Sequence, residues 1–161
     1  MVLDYGQMGI YAGEEGIVLA FDPGRDKTGF AFADSEGGLL LSGIFPMNER
    51  DEFFRALSAG DVSRWMIEGN ADDFMPSVKV IAVGNGTYSR EFREYARGKL
   101  NAEILTVDER NTTLEARGLY WKIHRPGLLT RLLPEGLRVP GRVLDDLAAW
   151  AVALRALRIR L

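Results

Sequence analysis

"IVLAFDPGRDKTGFAFADSEGGLLLSGIFP", residues 17–46, decides the fold of this 161-residue chain. It opens on a continuous apolar run rich in strand formers, which suits a strand covered on both faces. "TGFAFAD" then alternates, and "GLLLSGIFP" follows through "SEGG", a hairpin-type connection. Three strands in a meander result. The first of them stops on Asp22, with Pro23 and Gly24 behind it. Asp, Pro and Gly together make an ordinary turn. A carboxylate at the end of a buried strand is also a candidate for chemistry.

Outward from this stretch the chain alternates strand and helix. "NERDEFFRALSAG" predicts a helix with Asn48 as N-cap, an apolar stripe of Phe53, Phe54 and Leu57, and a stop at Gly60. "VKVIAVG" and "AEILTVD" predict a fourth and a fifth strand, with "TYSREFREYARGKL" as a helix between them. "NTTLEARGLYWKIH" predicts a helix stopped by Pro126-Gly127. Residues 125–142, with Pro126, Pro134 and Pro140, predict a long mobile loop. "LDDLAAWAVALRALRI" predicts a buried final helix. The order βββαβαβα, closed by the further final helix, implies a mixed five-stranded α/β sheet with helices on both faces. In such sheets ligands collect at the carboxyl ends of the central parallel strands. Residues 1–16 lack a sustained period and read as a loose extension before a single domain at 17–161.

Composition is that of a soluble globular domain, 47% hydrophobic and 27% charged. No apolar run reaches the roughly 18 residues of a membrane span. The N-terminus lacks the basic start and apolar core of a signal peptide, and cysteine is absent. Disulfides, thiolate zinc sites and Cys nucleophiles are thereby excluded, and a cytoplasmic location is expected. The net charge is −3, unevenly spread. From Arg110 onward ten Lys/Arg stand against four Asp/Glu, and before it ten stand against nineteen. Such asymmetry suits an acidic body with a basic C-terminal face, or arginines decorating solvated helices.

Five acids stand at informative places. Asp22 ends the first strand, Asp108 and Glu109 end the fifth in "TVDERNTT", and Asp145 and Asp146 begin the final helix in "VLDDLAAWA". If the two strands run parallel and close together, their acidic ends share one sheet edge, which the final helix can reach. Converging carboxylates repel and raise one another's pKa. A divalent cation removes that penalty. Oxygen-only ligands select Mg²⁺ or Mn²⁺, and two such ions about 4 Å apart suit phosphodiester cleavage. Asp22, Asp108, Glu109, Asp145 and Asp146 are therefore the candidate metal ligands. Each also has a plain structural use: Asp22 in a turn, Asp145 or Asp146 as a helix cap, Glu109 beside Arg110 as a surface pair.

"GNGTYSRE", residues 84–91, adds a second feature. Gly84 and Gly86 allow close backbone approach to a ligand, Thr87 or Ser89 can cap the next helix, and Arg90 can meet a phosphate. A strand-to-helix turn needs the same residues. His124, the lone histidine, reads as an exposed residue or phosphate contact rather than a base. Trp65, Trp121 and Trp150 read as core or near-core, with Trp121 the candidate for base stacking.

The segments "LAFDPGRDKTGFAFAD", "VDERNTTLEAR" and "LDDLAAWAVAL" resemble the three signature segments of the YqgF (RuvX) family, and the likeness runs from Ile17 to Leu154. That family is assigned to Holliday-junction resolution and ribosomal RNA maturation. The resemblance implies an RNase H-like fold and a metal-dependent endonuclease with Asp22, Glu109 and Asp145 as catalytic acids, Asp108 lying beside Glu109. Asp145 is preferred to Asp146 because the family spacing is an acid, two residues, then Ala-Ala. One segment departs. Where the family usually reads Gly-Leu-Pro, "VGNGTYSRE" is similar to the YqgF-like domain of the transcription accessory protein Tex, which is degenerate in its acids. This chain keeps them. The implied partner is branched DNA or a ribosomal RNA precursor, met by Lys27, Thr87, Ser89, Arg90, Arg110, Arg125, Arg131 and Arg138, and symmetric cutting calls for a homodimer. A non-catalytic binding module of the Tex type is the alternative. Actin- and sugar-kinase-like ATPases also open on an Asp-x-Gly turn, but they need two such domains and 161 residues are too few.

Overall fold

A computed structural model describes residues 16–158, so the expected extension lies, Gly16 apart, outside the described residues. The strands are β1 (Ile17–Pro23), β2 (Lys27–Ala33), β3 (Leu39–Pro46), β4 (Met66–Gly69), β5 (Val78–Gly84) and β6 (Glu103–Val107). The helices are α1 (Arg50–Ala59), α2 (Ser89–Arg97), α3 (Thr112–Ile123), the single turn α4 (Leu128–Arg131) and α5 (Asp145–Ala156). They form a mixed α/β sheet of six strands in the order β4-β3-β2-β1-β5-β6. The meander β1–β2–β3–β4 is antiparallel, whereas β5 and β6 run parallel to β1 and to each other.

The sixth strand corrects the expected five. β4, "MIEG", has four residues and, among the described residues, pairs with β3 alone at the sheet edge. So short a segment has no period of its own to read; the open edge of β3 makes it a strand.

The two faces of the sheet are built differently. On one, Phe21, Phe30, Phe32 and Phe45 meet Phe53 and Phe54 of α1 and Phe92 of α2. The Phe45 and Phe53 rings stack at 4.0 Å. Truncating a buried Phe such as Phe53 to Ala costs about 3–5 kcal/mol. On the other face small residues prevail: Ala20, Ala33 and Ala82 lie under Val152, Ala153 and Ala156 of α5. Small side chains let α5 press onto the strands, and α3 packs outside it through Leu119, Ala151 and Leu154.

Helix starts differ from expectation. Asn48 lies in a 3₁₀ turn, Met47–Glu49, and Glu49 takes the N-cap position of α1 without a side-chain cap bond. Gly60 does stop α1, in the left-handed region at φ 83°. Neither Thr87 nor Ser89 caps α2: Tyr88 holds that position, again without a side-chain bond, and Ser89 is buried as the first helical residue. Among the described residues no helix is long and apolar enough to cross a membrane.

Candidate functional site

Strand alternation decides which side chains face α5. Val18 and Ala20 point to that face, so Asp22 does as well, at the carboxyl end of β1. Asp22 sits opposite Gly29 of β2 in the antiparallel register. At Gly29 a Cβ would collide with the Asp145 carbonyl, so this glycine seats the first turn of α5 directly on the sheet. Asp145 is thereby brought over Asp22.

Glu109 arrives from the loop after β6. Its backbone N–H donates to Asn85 Oδ1 (3.1 Å), while the Asn85 N–H donates to the Val107 carbonyl (2.9 Å). The Glu109 carbonyl accepts from the Thr112 hydroxyl (2.8 Å) at the start of α3. Gly84 and Gly86 form a cradle, since a Cβ on either would strike the Glu109 carboxylate. Close approach to a carboxylate is thus the task of the glycines in "GNG".

Asp22, Glu109 and Asp145 lie close enough to perturb one another. Burial, then the charges of Glu109 and Asp145, then a hydrogen bond with Glu109 push the Asp22 carboxyl up to about 7. Glu109 Oε2 is buried and receives no donor from any fixed N–H or O–H. The proton that Asp22 retains bonds to the Glu109 carboxylate, and a cation can take the place of that proton. Among the described residues no set of three or more His, Cys, Asp or Glu side chains is arranged to hold a metal ion as it stands. Lys27 Nζ instead pairs with Asp145 Oδ2 at 3.3 Å. The orphaned oxygen, the glycine cradle and the all-oxygen donor set nevertheless suit a hard divalent cation.

The neighbouring acids serve elsewhere. Asp108 turns to solvent, accepts the Arg110 backbone N–H (2.9 Å) and lies 4.0 Å from its guanidinium. Asp146 is wholly buried, accepting from Ser42 Oγ (2.7 Å) and Arg142 Nη1 (2.7 Å). Arg142 also reaches Glu68 of β4 at 2.8 Å, and Glu68 in turn meets His124 Nε2 at 2.6 Å. Partial burial favours the neutral acid at Glu68, but the bonds from Arg142 and His124 prevail and hold its carboxyl below the usual range. His124 is therefore hydrogen-bonded to Glu68, with its ring tilted against that of Tyr120 at 4.6 Å, and is not a free phosphate contact.

The basic residues divide likewise. Arg90 is exposed and paired with Glu94 (3.4 Å). Arg138 donates to the carbonyls of Thr130, Leu133 and Arg131, so residues 125–142 form a loop bound to itself. That side chain is spent on the loop. Arg125 and Arg131 are exposed and make no ion pair among the described residues. Five leucines and two valines between Leu128 and Val143 are exposed beside them, more apolar than a phosphate grip requires. Trp65 is buried and donates to Glu49 Oε2 (2.6 Å), whereas half-buried Trp150 donates to the Gly37 carbonyl (2.9 Å). Trp121 is half-buried, its ring edge-to-face with Tyr120.

Fold and site together define an α/β protein with paired carboxyls at the carboxyl ends of parallel strands. No family model and no curated protein matches the chain by sequence.

Proposed function

We propose that this chain is a divalent-metal-dependent endonuclease of the RNase H-like type, acting on structured nucleic acid such as a branched DNA or a ribosomal RNA precursor. One observation carries the reading: Asp22, Glu109 and Asp145 come from three distant segments to one sheet edge, where a Glu109 oxygen is buried without a donor. Three repelling acids do not help the fold. They need a ligand to justify them.

Asp22, Glu109 and Asp145 would hold Mg²⁺ or Mn²⁺, as two ions in the RNase H-like arrangement; bound metal supplies an activated water and neutralises charge at the leaving oxygen. Asp22 turns an oxygen toward Glu109 and can ligate beside it once the Asp22 proton has left. Lys27 balances Asp145 and stands ready to meet a phosphate oxygen entering beside it. A homodimer would present two such edges to a symmetric junction.

Side-by-side incubation of a branched DNA and an RNA precursor with Mn²⁺ tests the proposal. Cleavage of either, lost in Asp22→Asn, is expected. A second reading, a binding module without catalysis, is favoured by the Lys27–Asp145 pair, which already satisfies one of the three acids. Tight binding with no cleavage in Mn²⁺ would select it.

A further inference from the structure

A cleft of about 300 Å³ opens at the rim of the sheet, where the turn after β1 meets the first turns of α1 and α2. Gly24, Arg25, Arg50, Tyr88 and Glu91 line it. The volume is at the lower end for small-ligand sites and suits one nucleotide unit. The same two loops border the carboxylates: Gly24 is two residues beyond Asp22, and Tyr88 is two beyond Gly86, which touches Glu109.

The lining has the chemistry of a nucleotide site. Arg25 is exposed and has no hydrogen-bond or ion-pair partner among the described residues. Arg50 is stacked 3.8 Å over the Tyr95 ring, which fixes its guanidinium plane. Its ion-pair partner Glu91 lies at 3.4 Å and is 75% exposed, a weak pair that an incoming phosphate can displace. Tyr88 is 40% exposed and touches no other ring among the described residues. An aromatic face left open beside two guanidinium groups matches a base joined to its phosphate.

We propose that this cleft is a single-nucleotide subsite, in which an unpaired base stacks on Tyr88 while Arg25 and Arg50 hold the adjoining phosphate. The inference rests on the nucleic-acid reading of the carboxylate edge and adds a preference to it. A base can enter only where the strand is unpaired or splayed, so the site selects nucleic-acid structure and tolerates sequence.

Anisotropy of a labelled single-stranded DNA oligonucleotide, titrated with the full chain in EDTA, tests the subsite apart from any cleavage. Tyr88→Ala should weaken binding about 5- to 150-fold, the range of one lost base stack, and Tyr88→Phe should bind as wild type does. On an abasic oligonucleotide of the same length, Tyr88→Ala should make no difference. Arg25→Ala should lower the salt slope by about 0.7, one single-strand phosphate contact. All three variants should keep the wild-type response of the melting temperature to Mg²⁺. If wild type binds the oligonucleotide and Tyr88→Ala binds it equally well, the subsite is wrong while the nucleic-acid reading survives. If wild type binds neither oligonucleotide nor branched DNA, both fall together.

Discussion

At Asp22 a carboxyl group stays protonated at a pH where an exposed aspartate is ionised, because it is half-buried beside Glu109 and Asp145. An ordinary value of 3.8 becomes about 7. Between those values the folded chain keeps a proton that the unfolded chain has released. Stability contributed at this site therefore falls as pH rises from about 4 to about 7, and is level above that. Asp22→Asn removes the penalty. Its melting temperature should exceed that of wild type at pH 8, by the equivalent of roughly 1–3 kcal/mol, and the gap should close toward pH 4. Mg²⁺ should raise the wild-type melting temperature dose-dependently at pH 8. Asp22→Asn and Asp145→Asn should lose most of that rise. An equal Mg²⁺ response in wild type and Asp22→Asn would leave Asp22 as a turn residue only.

α5 is the element on which the site depends, and two contacts seat its first turn. Gly29 lets the Asp145 backbone lie against β2, so Gly29→Ala must push that turn away. We expect a cost of about 1–3 kcal/mol, typical of overpacking, together with a weakened Mg²⁺ response because Asp145 moves. Glu68 is the second contact. It takes Arg142, three residues before α5, and His124, which caps the end of α3, so one carboxylate secures both ends of the loop between them. Glu68→Gln should destabilise by about 1–3 kcal/mol in urea unfolding near pH 7. The sign opposes that at Asp22. A carboxyl held below its usual 4.5 contributes stability above that pH and loses it as the acid is protonated, so wild type and Glu68→Gln should converge in acid.

At the scale of the whole molecule, the described part of the basic C-terminal third presents fewer free cations than its composition promises. Arg142 and Arg155 are tied to Asp146, Glu68 and Glu115, and Arg138 to loop carbonyls. Replacing Arg125 and Arg131 together with Ala should lower the salt slope of nucleic-acid binding by at most about two phosphate contacts. Arg138→Ala should act differently. It frees the Thr130, Arg131 and Leu133 carbonyls and should speed proteolysis and amide exchange within the loop, whether or not nucleic acid is present. A salt slope that falls as far for Arg138→Ala as for Arg125→Ala would show that its guanidinium leaves the loop to bind phosphate.

Five strands and four long helices were legible in the sequence because alternation, apolar runs and glycine stops are local properties. Five candidate acids were legible too, since each ends a strand or begins a helix and the chain's α/β order sends such ends to one edge; the choice of Asp22, Glu109 and Asp145 among them came from the family resemblance. The partners were not. Asp145 and Asp146 are adjacent and alike in sequence, yet one lies over Asp22 and the other is sealed beneath Arg142 and Ser42, a residue 104 positions away. Asp108 and Glu109 part in the same way, one to solvent and one into the glycine cradle. β4, the Lys27–Asp145 pair and the Tyr88 cleft likewise depend on which surfaces meet after the sheet has formed. Local backbone preference reads along the chain, but desolvation and charge pairing act through space, and only the tertiary structure sets those distances.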